Sequence, residues 1–379
     1  MTFYPQIGLY DWDEVAQSIR QQTRTDVERV LANGVRKMDD LKALLSPEAV
    51  PVLEILADTS RRVTRQRFGN VVQLYVPLYL SNFCENCCVY CGFNAGNRIT
   101  RKVLSMDELA RELSVIRRNP FQHLLLVAGE APRKAGIDYL EEAVILARKY
   151  FHQVSIEVQP LAADEYARLA NAGLYGVYVY QETYHEKAYP NYHLGGKKTD
   201  FRYRLETPDR IGQAGIRKIG LGNLIGLEDW RTEAFFTALH LSYLRKKYWR
   251  SKLSVSFPRL RPHAGNGFQP QYSTSERDLV QLICAYRLFD HDLEISLSTR
   301  ESAHFRDNVF PLGVTAMSAG SKTGPGGYGG DNELEQFAVN DDRLPREVAD
   351  AIRQQGFEPV WKDWADCLQV PQGADSGKA

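Results

Sequence analysis

From Val71 onward, short apolar runs alternate with stretches in which apolar positions recur every three or four residues. The runs predict eight strands: Val71–Leu80, His123–Ala128, Val154–Val158, Gly176–Tyr180, Arg217–Leu221, Leu253–Phe257, Leu293–Leu297 and Val314–Met317. The stretches between them predict helices. One starts at Ser105, with Glu108 as its capping-box partner, and runs to about Arg118. Others cover Asp138–Lys149, Asp164–Ala172 and Glu276–Leu288. Strand and helix alternating eight times predict an α/β protein, a (β/α)8 TIM-type barrel. The eighth run is short and the fifth weak, which leaves a partial barrel as the alternative.

Ahead of the first strand the period is helical. Asp11 with Glu14 has the form of a capping box and precedes Trp12, Val15 and Ile19 on one face. Thr25 with Glu28 repeats that signal, Gly34 offers a stop, and Ser46-Pro47 starts another helix. Residues 1–68 therefore form a helical N-terminal extension and residues 69–330 the barrel. Residues 331–379 form a C-terminal cap, acidic and loop-rich at first, then helical around Pro345–Gln354. Its aromatic cluster, Val360 to Trp364, is expected to dock on the barrel, with a frayed end from Gln372.

Charge and composition narrow the function classes. Lys plus Arg and Asp plus Glu are 47 each, a net charge of zero. That argues against a general nucleic-acid or membrane-surface binder, whose affinity rests on basic charge. The first residues lack the basic and apolar regions of a signal peptide, and no apolar run approaches a membrane span. A cytoplasmic location is the resulting expectation.

Cysteine usage points to specific chemistry. Of six cysteines, Cys84, Cys87, Cys88 and Cys91 are grouped, while Cys284 and Cys367 stand alone. Such clustering in a large chain without secretion signals suggests metal or catalysis rather than a disulfide framework. Cys84-x3-Cys88-x2-Cys91 follows the first strand directly. Three soft thiolates on a tight loop suit three irons of a [4Fe–4S] cluster and leave the fourth open for a small molecule. Zinc is the alternative, but it usually takes two pairs of ligands, and no second pair is present. Cys87 reads as a spare thiol, although Cys84-x2-Cys87 also exists. Cys284, in an amphipathic stretch, reads as a core residue.

With Tyr90 just before its last cysteine, this loop resembles the signature of the radical S-adenosylmethionine (SAM) superfamily. There SAM chelates the open iron. The second strand ends in Ala128-Gly129-Glu130, which looks like the superfamily's element for the SAM amino group. Glu157 and Gln159 after the third strand, and Gln181 and Glu182 after the fourth, are candidates to hold SAM. For Glu182 or Thr183 a plain helix cap is an equal alternative. Arg204, in the arginine-rich stretch 201–210, is a candidate carboxylate clamp, against a solvated, ion-paired helix face. Arg300 ends the seventh strand where a barrel presents side chains to its pocket. It is expected to pair with a substrate carboxylate, with Ser318 adding a hydrogen bond. The glycine-rich 324–330 lacks the lysine and helix of a P-loop, so a mobile lid or a plain turn is expected.

Longer strings carry a closer resemblance. Asp58–Gly69, Tyr75–Asn82, Glu157–Leu161, Tyr180–His185, Arg204–Arg210, Ser256–Pro262, Ser296–Ser302 and Pro359–Trp364 together resemble the 2-iminoacetate synthases. These are the tyrosine lyases of thiamin-thiazole biosynthesis. The resemblance implies a [4Fe–4S] cluster on Cys84, Cys88 and Cys91, SAM as cosubstrate, and L-tyrosine as substrate. It also implies cleavage of the Cα–Cβ bond to 2-iminoacetate and p-cresol, with Tyr90 beside the substrate. A thiazole synthase and a flavodoxin- or ferredoxin-type electron donor are the implied partners. A lyase of another aromatic amino acid is the enzymatic alternative, and a metal-stabilised binding module the non-enzymatic one. A sister family carries a second cluster on a C-terminal cysteine motif; beyond Gly330 this sequence has Cys367 alone.

Overall fold

The computed structural model describes residues 2–262, 268–330 and 335–362. Its centre is a closed parallel barrel of β1 (Val71–Ser81), β2 (His123–Ala128), β3 (Gln153–Glu157), β4 (Gly176–Tyr178), β5 (Lys218–Gly222), β6 (Lys252–Ser256), β7 (Glu294–Leu297) and β8 (Ala316–Ser318). Strands pair in chain order, and β1 pairs with both β2 and β8, which closes the ring and removes the partial-barrel alternative. A ninth strand, β9 (Glu358–Val360), pairs with the lower part of β1, where Gln73 has Ala316 and Val360 as its register partners. The sequence did not point to β9. It is three residues long, contains Pro359 and offers no alternation to read. The rest of that closing segment, from Asp363 onward, lies outside the described residues, as does Cys367.

Period-two alternation decides what each face of β1 does. Val72, Leu74, Val76, Leu78 and Leu80 are buried in the apolar core between barrel wall and helices. Tyr75, Pro77 and Tyr79 point inward and line the cavity at the barrel's C-terminal end. Two glycines in β5 make room for large rings at the end of β4 and just beyond it. A Cβ at Gly220 would lie 2.0 Å from the Tyr178 ring, and one at Gly222 2.8 Å from that of Tyr180. The lower interior is polar and paired: Lys218 Nζ lies 2.8 Å from Glu294, and Lys252 Nζ 3.1 Å from the same carboxylate.

The N-terminal extension is fastened to the barrel's helices. Asp11 caps helix Trp12–Arg20 by accepting from the backbone N–H groups of Asp13 and Glu14. The next cap is Thr23 with Asp26, not Thr25 with Glu28. Thr23 alone has the extended backbone that lets an N-cap hydroxyl meet the N–H three residues on. Ser46-Pro47 opens a short 3-10 turn before helix Leu53–Phe68. Phe3 stacks on His240 at 4.0 Å, and Trp12 stacks on His185 at 4.4 Å. Through His185, the extension touches the segment that follows β4.

That segment is held from behind by helix Trp230–Lys247. Buried Glu233 accepts from the Thr183 hydroxyl and, at 2.9 Å, from the Tyr184 N–H. Next to them Glu182 adopts φ 70°, the one described non-glycine residue in the left-handed region. Burial pushes the Glu233 carboxyl up to about 8, against the bonds from Thr183 and Tyr184.

After β8 the chain folds back over the barrel mouth. The N–H groups of Asn340 and Asp341 donate to the Thr299 carbonyl, at 2.9 and 3.2 Å. Fully buried Arg306 binds both Asp341 and the Ser318 carbonyl. The glycine-rich stretch is an anchored turn. Tyr328 donates to the Pro77 carbonyl at 2.7 Å, and its N–H donates to Glu112 at 2.9 Å. Among the described residues no helix is long and apolar enough to cross a membrane.

A carboxyl raised by burial stays protonated in the folded chain while the unfolded chain ionises. Stability therefore falls as pH rises from the ordinary carboxylate range to about 8, and levels off above it. Replacing Glu233 by Gln should flatten this limb. Denaturant melts of both chains between pH 5 and 9 measure the difference, and parallel curves would show that Glu233 ionises as an ordinary glutamate.

Candidate active site

The loop after β1 carries the cysteines, and its shape is set by backbone bonds. Arg101 reaches into it and donates to the carbonyls of Asn82, Phe93 and Asn94 at 2.6 to 2.9 Å. Asn94 donates to the Cys88 carbonyl at 2.8 Å. A two-rung antiparallel bridge then fixes the loop's middle. The Cys87 N–H donates to Gly195 O, and the Leu194 N–H to Cys87 O, both at 2.9 Å. Cys84, Cys88 and Cys91 consequently face one cavity. Cys87 is not in its lining; its Sγ lies against Gly195 instead.

Burial pushes the Cys84 thiol up to about 11 and raises Cys88 and Cys91 as well. Free thiolates would be unfavourable here, so these sulfurs suit bonding to a cation that offsets their charge. Among the described residues, no three His, Cys, Asp or Glu side chains gather tightly enough for a single ion. Three thiols spread round one cavity instead fit a multi-iron cluster, one iron to each sulfur. Gln336 adds a donor 3.7 Å from the Cys91 sulfur.

The end of β2 meets this loop at close quarters. A Cβ on Gly129 would lie 2.2 Å from the Phe83 carbonyl, so the position accepts only glycine. Beyond it, Glu130 accepts from Asn86 at 2.8 Å and from Arg204 at 2.7 Å. Arg204 also donates to the Tyr180 carbonyl at 2.7 Å. Lys198 contacts Glu182 at 2.6 Å. Burial works against the Glu130 charge, but Arg204 and Lys198 hold the carboxyl below its usual range. Glu157 has no such partner among the described residues: burial, then Glu182, pushes it up to about 7.

Across the cavity stand Arg300 and Ser318. Arg300 lies 3.4 Å from the centre of the Phe337 ring and forms no ion pair with any described residue. Its neighbour Glu301 is already taken by Arg259 and Arg261. Ser318 accepts from the Thr299 N–H at 3.1 Å, which fixes the loop carrying Arg300. Tyr90 reaches the same cavity from the cysteine loop. Its hydroxyl is 2.8 Å from His193 Nε2. Burial, then Lys198, depresses His193 to about 2, so the imidazole is neutral.

The cavity thus gathers Cys84, Cys88, Cys91, Tyr90, Ala128, Gly129, Glu130, Glu157, Glu182, Arg204, Arg300 and Ser318. Gln159 and Gln181 are not brought to it. Gln159 donates to the Ala135 carbonyl at 2.8 Å, and Gln181 turns toward the Phe201 carbonyl. Gln181 yields the inward place to its neighbour Glu182, whereas Gln159 lies two positions past the end of β3 and turns to the Ala135 carbonyl. Lys198, Leu224, Gln336 and Phe337 are among the cavity residues absent from the sequence reading. Leu224 follows β5 and is flanked by Gly222 and Gly226, a signal available in the sequence. Lys198 sits in a short 3-10 turn and carries no motif.

Comparison with known proteins agrees with this geometry. Residues 78–239 match the model of the radical SAM superfamily, and residues 256–358 that of the biotin and thiamin synthesis associated domain. The chain is 54% identical to 2-iminoacetate synthase of Escherichia coli, over 97% of this chain and 98% of that one. It is 53% identical to the 2-iminoacetate synthase of Salmonella typhimurium, with the same coverage. Among solved structures, HydG, a maturase of the [FeFe]-hydrogenase, superposes with a TM-score of 0.87 at 30% identity. That match covers 92% of this chain and 80% of HydG. The cysteine loop, the barrel and these full-length matches place the chain in the 2-iminoacetate synthase family of radical SAM enzymes.

Proposed function

We propose that this chain is a radical SAM lyase that cleaves the Cα–Cβ bond of L-tyrosine to 2-iminoacetate and p-cresol, with SAM converted to 5′-deoxyadenosine and methionine. The observation that carries the reading is one cavity holding three buried thiols at one side and the unpaired Arg300 guanidinium at the other. Cluster and SAM, when bound, supply the hydrogen-abstracting radical chemistry. The chain's own residues bind, orient and exclude water. Cys84, Cys88 and Cys91 hold the cluster. The strand end Ala128-Gly129-Glu130, with Glu157, Glu182 and Arg204, receives SAM. Arg300 takes the substrate carboxylate in two parallel bonds, with Ser318 beside it and Phe337 keeping the guanidinium plane fixed. Such clamping matters because a radical reacts with whatever lies nearest. Tyr75, Tyr79, Tyr178 and Tyr180 wall the cavity, and burial raises all four phenols, so they stay neutral.

The imine is short-lived in water, which supports hand-over to a thiazole synthase; reductive cleavage of SAM needs one electron, which supports a flavodoxin- or ferredoxin-type protein as its source. A cytoplasmic location is part of the same proposal, as is the division into extension (1–68), barrel (69–330) and cap (331–379).

Anaerobic reconstitution with iron and sulfide, followed by SAM, dithionite and L-tyrosine, tests the reading by mass spectrometry. Expected products are 5′-deoxyadenosine, p-cresol and glyoxylate, the hydrolysed imine. Deoxyadenosine without p-cresol would remove tyrosine as substrate. Absence of deoxyadenosine from a loaded cluster would remove the radical reaction. Cys88→Ala should lose cluster iron and all three products together.

Arg300→Lys keeps the charge but not the fork. Its kcat/KM for tyrosine should fall about a hundredfold, with cluster iron unchanged. Initial rates of p-cresol formation across tyrosine concentrations give the value. An unchanged kcat/KM would mean that another group holds the carboxylate.

A further inference from the structure

The Tyr90 hydroxyl has a single fixed partner, and that partner's chemistry decides what the phenol shows to the cavity. His193 Nδ1 lies 2.9 Å from the Tyr189 carbonyl oxygen. A carbonyl only accepts, so Nδ1 carries the imidazole proton and Nε2 presents a lone pair. The ring is buried, with Tyr189 stacked on it at 3.9 Å, and among the described residues its two nitrogens meet only a carbonyl and a phenol, with no carboxylate in contact to balance a second proton, so it takes the neutral form. Tyr90 must therefore donate its one proton to Nε2, 2.8 Å away. What remains of the phenol oxygen is two lone pairs, and Tyr90 lines the cavity that also holds Arg300 and the three thiols.

His193 cannot drift from this place. Its segment is the partner in the two-rung bridge to Cys87, and the Val89 N–H donates to Tyr192 O at 3.1 Å. The same backbone bonds that set Cys88 therefore set the acceptor for Tyr90.

We propose that His193 is a positioning residue: by accepting the Tyr90 proton it makes the Tyr90 oxygen an acceptor for the amino group of the bound amino acid. With the carboxylate fixed by Arg300, this second anchor turns the amino N–H bonds and sets the distance over which hydrogen is abstracted. The inference rests on the lyase reading. It adds that the amino group is held by an acceptor whose polarity is dictated from outside the cavity. A substrate lacking amino hydrogens leaves that acceptor unpaired.

The test compares p-cresol formed per 5′-deoxyadenosine in wild type, Tyr90→Phe, His193→Phe, the double variant and His193→Gln, each with its cluster iron measured. A mis-set amino group lets the radical be spent without cleavage, so His193→Phe should lower the ratio about tenfold, the scale of one lost hydrogen bond. Tyr90→Phe should lower it similarly. The double variant should be no worse than Tyr90→Phe, because both remove one interaction. Gln places an acceptor oxygen near the position of Nε2, so His193→Gln should stay within about threefold of wild type. A wild-type ratio in His193→Phe, or effects that multiply in the double variant, would overturn the proposal. Should the Phe variant lose iron, the Gln variant decides: with iron retained, a ratio as low as that of Tyr90→Phe overturns it. Wild type that makes no p-cresol overturns the lyase reading instead, so the two failures are distinct.

Discussion

Glu130 leaves the end of β2 as a mostly buried carboxylate and accepts from Asn86 of the cysteine loop and from Arg204 of helix Phe201–Leu205. Arg204 passes the connection on to the Tyr180 carbonyl beyond β4. One ionised group thus ties three strand-end segments into a single rim. Leaving such a charge unpaired in the interior would cost several kcal/mol, on the order of 3–5, so the three segments are ordered together or not at all. Everything the cavity offers is arranged from that rim. The thiols lie on one side of it, the strand end proposed to receive SAM forms part of it, and the Lys198–Glu182 pair continues it.

How much of this was legible depends on what each residue answers to. Barrel strands obey local alternation, so β1 and β2 were visible from Val71 and His123 onward. Cys84, Cys88 and Cys91 were visible because ligands proposed for one cluster must share a spacing on one short loop, and the structure brings all three to one cavity. Arg300 was visible because strand ends face the mouth of a barrel. Gln159 and Gln181 mark the limit of that rule. It names the segment but not the side chain: Gln181 loses the inward place to its neighbour Glu182 by one position, and Gln159 lies beyond the end of β3, where the strand no longer aims it. Lys198 and Phe337 arrive from connections whose path over the mouth is fixed by long-range bonds, such as Asn340 to Thr299. No local pattern encodes those. His193 was hidden for the same reason. It meets Tyr90 across 103 positions.

The cavity's charges also have a logic. Glu130, Glu157 and Glu182 face Lys198, Arg204 and Arg300. Among the six, Glu130 with Arg204 and Glu182 with Lys198 form contact pairs. Glu157 and Arg300 lack one, and both are pushed toward neutrality by burial. Groups left in that state gain most from a ligand of opposite charge, because binding restores the interaction that burial removed. An amino acid carries both signs at one carbon, and SAM carries them beside a sulfonium. A site with paired charges for scaffolding and unpaired ones facing the ligand space suits such molecules better than a neutral aromatic alone.

The two ends of the chain converge on this site from opposite sides. Trp12 of the extension stacks on His185, next to the Thr183–Glu233 contact that holds Glu182 in its left-handed conformation. Residues 335–343 cross the mouth, where Gln336 meets Tyr79 at 2.8 Å and Cys91 at 3.7 Å. That crossing is fixed by Arg306 and Asp341, both fully buried. A buried ion pair adds little net stability over apolar packing, but it tolerates few alternative arrangements. Its use here therefore argues for geometry over strength. Phe337 can hold the Arg300 plane only if the crossing segment has one path, and a pair that fails when displaced enforces that path.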